Sequence, residues 1–308
     1  MPYLFAHFKE KTTVDGEQVY FAVSRDGFLW EEVNGGRPAL TCDRGAGGCR
    51  DIEIVRLRDG GFVIIATDLC IVKHMDENCN VDWAYINSHG SRNISVWRGD
   101  TLTSFGEQET IPVGREDFGC VWAPEVFYDE DRGVCVIHFS STTSENGFKH
   151  TQIYRSETRD FKSFSRPELF FSRENGCLDS HLRKIGDRYF LFYKNCVPGR
   201  VSLATSDSLY GEYEDDEDFN ARMDAIDMPG AYEAPTTFVL PDGRWCLMAD
   251  FFGCPKPEMG YRPYVSPAPG DARFSPAPGL FSFPYGFKHG GVIEIDDGEY
   301  EEVKNYSR

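Results

Sequence analysis

Long hydrophobic runs are absent from this 308-residue sequence, and none approaches the ~18 apolar residues of a membrane-spanning helix. The first residues lack the basic and apolar regions of a signal peptide, so we expect a cytoplasmic protein. Positive charge is also scarce: 32 Lys and Arg residues against 50 Asp and Glu residues give a net charge of −18. Nucleic-acid-binding proteins carry a basic face, and anionic membranes attract basic segments. The charge therefore argues against both kinds of partner.

Closely spaced cysteine pairs are missing as well. The ten cysteines are scattered along the chain without a C-x-x-C motif. In a chain without a visible export signal, this distribution predicts reduced thiols in the core.

The residues that are abundant favour strands and turns. Aromatic residues make up 14% of the chain, which also contains 30 glycines and 17 prolines. Five strongly apolar runs predict buried strands, and each is followed by an alternating strand that leads through a polar turn to an aromatic residue. These apolar runs cover residues 4–8, 62–66, 134–139, 189–193 and 245–252.

A further strand precedes four of these runs, and a fifth copy of it lies near the C-terminus. The five copies begin at Asp51, Glu125, Asp179, Glu233 and His289. They recur about every 55 residues, apart from a longer first interval that contains an insertion at residues 69–92, expected to form a loop over one face. Pairing the last copy with the first apolar run joins the two ends of the chain. The sequence thus predicts an all-β fold, a single five-bladed β-propeller over residues 1–308 closed by its terminal strands.

The first strand of each propeller blade lines the central channel, so these five residues are expected to converge. Four acids in one small volume cannot all ionise cheaply, and one of them should keep its proton. One protonated acid beside one ionised base is what glycoside hydrolysis requires. Two other interpretations stay open: the acids are surface or turn residues, or they form a structural ring that binds calcium.

The segments around these strand starts resemble the motifs of glycoside hydrolase family 43, in order and over nearly the whole chain. They are Arg50-Asp51-Ile52 with Ala66-Thr67-Asp68-Leu69, Val121-Trp122-Ala123-Pro124-Glu125, Cys177-Leu178-Asp179, Tyr232-Glu233-Ala234-Pro235 and Lys288-His289-Gly290. Gly90-Ser91-Arg92 before Val96-Trp97 is similar to an arabinosidase-like branch of that family.

The resemblance implies an exo-acting enzyme that removes terminal sugars from plant or microbial polysaccharides or oligosaccharides with inversion, α-L-arabinofuranose being the first choice. By motif, Asp51 would be the general base, Asp179 would tune the pKa of the acid, and Glu233 would be the general acid. No cofactor is required, but His289 would lie on the axis, where a structural calcium ion is possible.

Two positions depart from the motifs. Ile52 replaces a proline, and Ala234 replaces a glycine, which matters only if φ is positive there.

Six further residues are expected to bind substrate. Trp83 and Trp122 offer faces on which a sugar can stack, and Arg50 and Arg92 could orient hydroxyls or pair with the acids. Glu125 and His289 are supporting members of the site. The acidic run at residues 214–218 is expected to be a solvated loop.

Other functions remain open from the sequence alone. A β-xylosidase or β-galactofuranosidase could share the scaffold, as could a fructosidase or a glycoside phosphorylase. A propeller that binds carbohydrate without turnover is the non-enzymatic alternative.

Overall fold

The structure is a computed structural model that describes residues 1–9, 13–226, 230–253, 259–284 and 286–307. It is an all-β fold with three short helices among the described residues. The strands are β1 (Tyr3–Lys9), β2 (Tyr20–Ser24), β3 (Glu31–Glu32), β4 (Cys49–Arg56), β5 (Phe62–Asp68), β6 (Asn93–Thr101), β7 (Ser104–Phe105), β8 (Glu109–Pro112), β9 (Trp122–Asp129), β10 (Val134–Ser141), β11 (Gln152–Thr158), β12 (Glu168–Phe171), β13 (Cys177–Ile185), β14 (Arg188–Asn195), β15 (Arg200–Ser206), β16 (Glu214–Asp215), β17 (Ala231–Val239), β18 (Trp245–Phe252), β19 (Gly260–Ser266), β20 (Ser275–Pro276) and β21 (Phe287–Glu294). The helices are α1 (Trp83–His89), α2 (Glu217–Asp224) and α3 (Asp297–Lys304), with short 3-10 turns at Val14–Gly16, Asn34–Gly36, Ile71–His74 and Pro278–Leu280.

The five apolar runs form β1, β5, β10, β14 and β18, as predicted. Each of them is almost entirely buried and lies between two antiparallel partners. Three sheets have four strands each: β9–β12, β13–β16 and β17–β20. A larger sheet of nine strands has the order β3-β2-β1-β21-β4-β5-β6-β7, with β8 paired to β6.

The predicted pairing of the chain's ends is present. Strands β1 and β21 run antiparallel, from Tyr3 opposite Glu294 to Lys9 opposite Phe287. The nine-stranded sheet forms because β21 also meets β4, in a parallel bridge between Gly290 and Ile52. Helix α3 follows β21, and its Glu299 forms a salt bridge with Arg56 of β4.

The hydrophobic core lies mainly between neighbouring sheets. One cluster joins Ile65 and Val96 to Phe139 and Tyr154 of the next sheet. Aromatic side chains contribute much of this packing; for example, the rings of Phe192 and Trp245 meet edge to face at 5.4 Å.

The nine cysteines that the structure describes are free thiols. Seven of them are buried, as expected for core thiols, whereas Cys79 is exposed and Cys196 is partly exposed. Cys254 lies outside the described residues.

The acidic run at residues 214–218 is not a loop. It contains strand β16 and the start of α2, where the carboxylate of Asp216 accepts a hydrogen bond from the backbone N–H of Phe219. Acidic residues stabilise the first turn of a helix because its free N–H groups carry partial positive charge.

None of the helices in the described part of the chain has the length and apolar character needed to cross a membrane.

Candidate active site

Strands β4, β9, β13 and β17 each carry a β-bulge, and one residue in each bulge has positive φ. These residues are Asp51 in β4, Ala123 in β9, Asp179 in β13 and Ala234 in β17, with φ values of 54°, 48°, 54° and 53°. The strand register shifts at each of them. A bulge re-aims the neighbouring side chains, and it is common next to active sites.

The bulges direct three of the predicted acids into one cavity. This cavity has a volume of about 560 Å³, and Asp51, Asp179 and Glu233 all contribute to its lining. Arg50, Trp83 and Trp122, also predicted from the sequence, line it as well. The structure therefore brings together six of the nine predicted site residues.

Both carboxylate oxygens of Asp51 have hydrogen-bond partners. The hydroxyl of Thr67 donates to Oδ2 at 2.7 Å, and Nδ1 of His289 lies 3.1 Å from Oδ1. Burial raises the pKa of Asp51, but the hydrogen bond and charge of His289 outweigh it, helped by Arg50 and Thr67, so the pKa is lowered overall. Asp51 is therefore an anion at neutral pH.

Asp179 is deeply buried, and both its backbone N–H and its carboxylate are hydrogen-bonded. Its N–H donates to Oγ of Ser140 at 3.2 Å, and its Oδ2 accepts the N–H of Ala234 at 3.2 Å. Burial raises the pKa of Asp179 to about 7, with the negative charges of Glu233 and Asp51 adding to it against the charge of His289. This carboxyl can hold a proton near neutral pH.

Glu233 is paired with a lysine that sequence reasoning missed. Nζ of Lys194 donates to Oε2 of Glu233 at 2.7 Å. Burial raises the pKa of Glu233, but the positive charges of Lys194 and Lys288 outweigh it and lower the pKa overall. In the free protein the proton therefore lies on Asp179 rather than on Glu233.

An inserted segment and two tryptophans form one wall of the cavity. Leu69, Ile71 and Met75 of the insertion contribute apolar surface. Trp83 begins α1, is 49% exposed, and meets Trp122 edge to face at 6.3 Å between ring centroids. Exposed aromatic rings beside polar groups suit the apolar face of a sugar.

Arg50 is fixed by a second missed residue. Its guanidinium contacts the buried Glu17 at 3.0 Å and lies over the ring of Phe8. Glu17 also accepts hydrogen bonds from the backbone N–H groups of Ile71 and Val72. It therefore connects the inserted segment to Arg50 in the cavity lining.

Three predicted residues do not line this cavity: Arg92, Glu125 and His289. Arg92 is exposed, and its guanidinium donates to the carbonyl of Glu116 at 2.7 Å instead. Glu125 is buried because it lies two residues after the bulge residue Ala123, not at the position that Asp51 occupies in its strand. It contacts His181 and accepts the N–H of Leu182 at 3.0 Å.

Glu125 lines a second, very small cavity of about 10 Å³, which the bulge residues Asp51 and Ala123 also line. His289 and Glu53 also line it. The pKa of Glu53 and that of Glu125 are each raised to about 8, mainly by burial, and the charge of Glu125 contributes to the rise at Glu53. The volume suits one water molecule.

The residues around His289 do not fit a calcium ion, which takes six to eight oxygen ligands. Among the described residues no group of three or more His, Cys, Asp or Glu side chains is arranged to hold a metal. The pKa of His289 is raised to about 9, because the hydrogen bond and charge of Asp51 overcome the effect of burial. We assign no chemistry to a metal here.

Thr67 and Lys194 could not have been found from the strand pattern. Thr67 and Lys194 each follow directly after an apolar run, and polar residues are common at the ends of strands. Only the part of the family motif that contains Thr67 pointed to that region of the chain.

Comparison with known proteins decides the family. Residues 1–301 match the family model described as a probable glycosyl hydrolase domain, which is related to glycoside hydrolase family 43. The chain belongs to this family. An α-L-arabinofuranosidase of Bifidobacterium longum subsp. longum is 30% identical over 226 residues, which is 66% of this chain and 21% of that protein. This family member thus spans about a fifth of the length of the curated relative.

Solved structures of similar fold include proteins named as glycosidases. A structure of an endo-1,4-β-xylanase from Bacteroides thetaiotaomicron has a TM-score of 0.61 at 15% identity, covering 94% of this chain and 93% of that one. A xylan β-1,4-xylosidase from Bacillus halodurans has a TM-score of 0.59 at 16% identity, covering 85% and 50%. At these identities the likeness concerns the fold alone.

Proposed function

We propose that this family member is an inverting, exo-acting glycoside hydrolase of the α-L-arabinofuranosidase type. The observation that carries the proposal is one cavity that combines an ionised carboxylate, Asp51, with a carboxyl pair that holds one proton, Asp179 and Glu233. The sequence similarity to the Bifidobacterium α-L-arabinofuranosidase supports arabinofuranose as the sugar.

The proposed fold of the catalytic unit is a closed five-bladed propeller over residues 1–308. Two features support it: the β1–β21 pairing, and the contacts that link the first strands in the cyclic order β4, β9, β13, β17, β21 and back to β4. Such a ring would put the bulges around one axis and leave the cavity at one end of it.

In the proposed reaction Asp51 accepts a proton from water as the water attacks the anomeric carbon. Glu233 delivers a proton to the departing glycosidic oxygen on the opposite face of the sugar. Asp179 holds the proton that Glu233 needs. The hydrogen bond from the N–H of Ala234 keeps Asp179 beside this acid. Trp83 and Trp122 would hold the sugar by stacking.

A panel of nitrophenyl glycosides tests this proposal. We expect hydrolysis of the α-L-arabinofuranoside, and losses of more than about a hundredfold in Glu233→Gln and Asp51→Asn, since acid–base groups contribute factors of this size. Glu130→Gln, an exposed carboxylate that pairs with Arg58, is the matched control and should keep full activity.

The same panel separates the alternatives. Preference for xylosides or β-galactofuranosides would change the sugar but not the mechanism. Turnover only with phosphate would indicate a phosphorylase, turnover of fructosides would indicate a fructosidase, and binding without turnover would indicate a carbohydrate-binding protein. Full activity in both Glu233→Gln and Asp51→Asn would disprove the site.

A further inference from the structure

Lys194 lies at the end of β14, in contact with the proposed acid. Its ammonium group is 2.7 Å from Oε2 of Glu233 and 4.5 Å from the centroid of the Phe252 ring. Only 14% of the Lys194 side chain is exposed. Lys194 lines the 560 Å³ cavity that contains the three acids, called the large cavity below. A lysine this buried needs a counter-charge, and Glu233 supplies it.

The other charged groups around Glu233 have different partners. Arg50 of β4 pairs with Glu17 at 3.0 Å, and Lys288 of β21 pairs with Asp250 at 2.7 Å. His289 of β21 contacts Asp51, and Asp179 of β13 is an acid. Among the described residues, Lys194 is thus the cation whose ammonium group donates a hydrogen bond to Glu233.

This contact opposes the role that the proposed reaction gives to Glu233. A general acid must carry a proton, whereas a hydrogen-bonded ammonium group favours the carboxylate. The charge and hydrogen bond of Lys194 lower the pKa of Glu233. The ionised Glu233 in turn raises the pKa of Asp179, against the direct charge of Lys194, which lowers it.

We propose that Lys194 is a positioning residue that restrains Glu233 and makes Asp179 the resting place of the catalytic proton. The inference rests on the proposed function. During turnover the Asp179 proton passes to Glu233 and then to the glycosidic oxygen as the C–O bond breaks. Meanwhile Asp51 takes one proton from the attacking water, whose oxygen forms the new bond to the anomeric carbon. Water is thereby added across the glycosidic bond. Asp51 then releases its proton to solvent, and Asp179 takes one up from solvent.

The test is the pH profile of Lys194→Met, with Lys194→Arg as the charge-conserving variant. Removing the cation raises the pKa of both acids, so the alkaline limb of kcat/KM should move up by about one pH unit, whereas Lys194→Arg should leave it in place. Lys184→Met is the matched control, since this exposed lysine of β13 also lies near an aromatic ring, that of Tyr189, but away from the large cavity. It should leave the profile unchanged.

The effect should also depend on the leaving group. Loss of restraint on the acid should lower kcat more than it changes KM for a nitrophenyl glycoside. It should matter less for a dinitrophenyl glycoside, whose leaving group needs little protonation. In a Glu233→Gln background, Lys194→Met should have no further effect. An unchanged alkaline limb, or effects of the two substitutions that multiply independently, would overturn the proposal.

Two further measurements keep the outcome clear. If Lys194→Met does not fold, Lys194→Gln removes the charge but keeps a hydrogen bond, and the same shift is expected. If the wild-type protein hydrolyses no glycoside, the proposed function has failed. The Lys194 contact is then judged by a carbon-13 NMR titration of Glu233, assigned against Glu233→Gln, in which an equal Glu233 pKa in wild type and Lys194→Met would refute it.

Discussion

Ala234 adopts a left-handed backbone conformation without the freedom of glycine. Its φ is 53°, its side chain is fully buried, and its N–H donates to Asp179, one of the proposed catalytic carboxyls. Family resemblance places a glycine here, and the structure shows that the difference matters because φ is positive. The left-handed region costs an L-residue about 1–2 kcal/mol.

Replacing Ala234 by glycine should therefore raise the free energy of unfolding, by about 1 kcal/mol at most after the added backbone entropy of glycine is subtracted. Ala204→Gly is the control, since Ala204 is buried in the regular strand β15 and should be destabilised instead. Urea denaturation of both variants gives the answer; a loss of stability in Ala234→Gly would show that the bulge is not strained.

The hydroxyl of Thr67 links strands β4 and β9 by hydrogen bonds. Its Oγ1 accepts the N–H of Ala123 at 2.7 Å and donates to Asp51 at 2.7 Å. Because the incoming N–H occupies a lone pair, the hydroxyl hydrogen is directed to the carboxylate. Thr67 thereby fixes the orientation of the proposed base.

We expect Thr67→Val to lower kcat on the order of tenfold and to cost about 1–3 kcal/mol of stability, because it leaves a buried N–H and a carboxylate oxygen unpaired. Thr67→Ser keeps the hydroxyl and should recover most of the activity. Thr205→Val, which removes a hydrogen bond to Arg188 far from the cavity, should lose stability only. If Thr205→Val and Thr67→Val reduced kcat alike, the effect would be a general one and not a property of the base.

At the scale of the strands, the sequence predicts the elements better than their local register. The apolar run at residues 134–139 identified β10 because a buried middle strand has two apolar faces. A bulge, in contrast, adds one residue without changing the hydrophobic pattern. Glu125 was therefore expected beside Asp51, although the bulge puts Ala123 at that position.

Ion pairs were the least predictable part of the site. Lys194 and Glu233 are separated by 39 residues in the chain. Nothing in the composition of either strand shows that their side chains meet, since this depends on how two neighbouring sheets are rotated relative to each other. Family motifs identified the acids, but gave no sign of the cation that lowers the pKa of one of them.

The pairing of β1 with β21 requires a glycine at position 290. A Cβ atom there would lie 1.9 Å from the carbonyl oxygen of Ala6. Gly290→Ala should therefore destabilise the protein on the order of 2–3 kcal/mol, because the terminal strands must move apart. Gly279→Ala, where a Cβ would meet nothing within 4 Å, is the control.

Thermal denaturation measures this effect directly. A melting temperature of Gly290→Ala equal to that of Gly279→Ala would mean that the terminal strands do not pack as described.

For the whole molecule, the buried acids predict how stability depends on pH. The pKa values of Asp179, at about 7, and of Glu53 and Glu125, at about 8, lie above those of an unfolded chain. On these three groups the folded state therefore holds more protons than the unfolded state between about pH 4 and pH 8. Stability from these groups is complete below that window and is lost as the pH rises through it.

Burial lowers the pKa of His7, His138 and His181, so these histidines act in the opposite sense below about pH 6.5. We therefore expect the free energy of unfolding to fall from about pH 7 to pH 8, and Glu53→Gln to reduce the slope because an amide has no proton to lose. The surface variant Glu130→Gln should keep the wild-type slope. Urea titrations across this range measure the slope, and a stability that rises with pH would contradict the assigned pKa directions.

The central claim is that Asp51 and Glu233 act from opposite faces of the sugar. Proton NMR of the first product released from a nitrophenyl α-L-arabinofuranoside tests it most directly, before the anomers equilibrate. We predict that the β anomer appears first, because water activated by Asp51 attacks the face opposite the leaving group. First appearance of the α anomer would contradict this account, since it would require a covalent intermediate or attack from the same face.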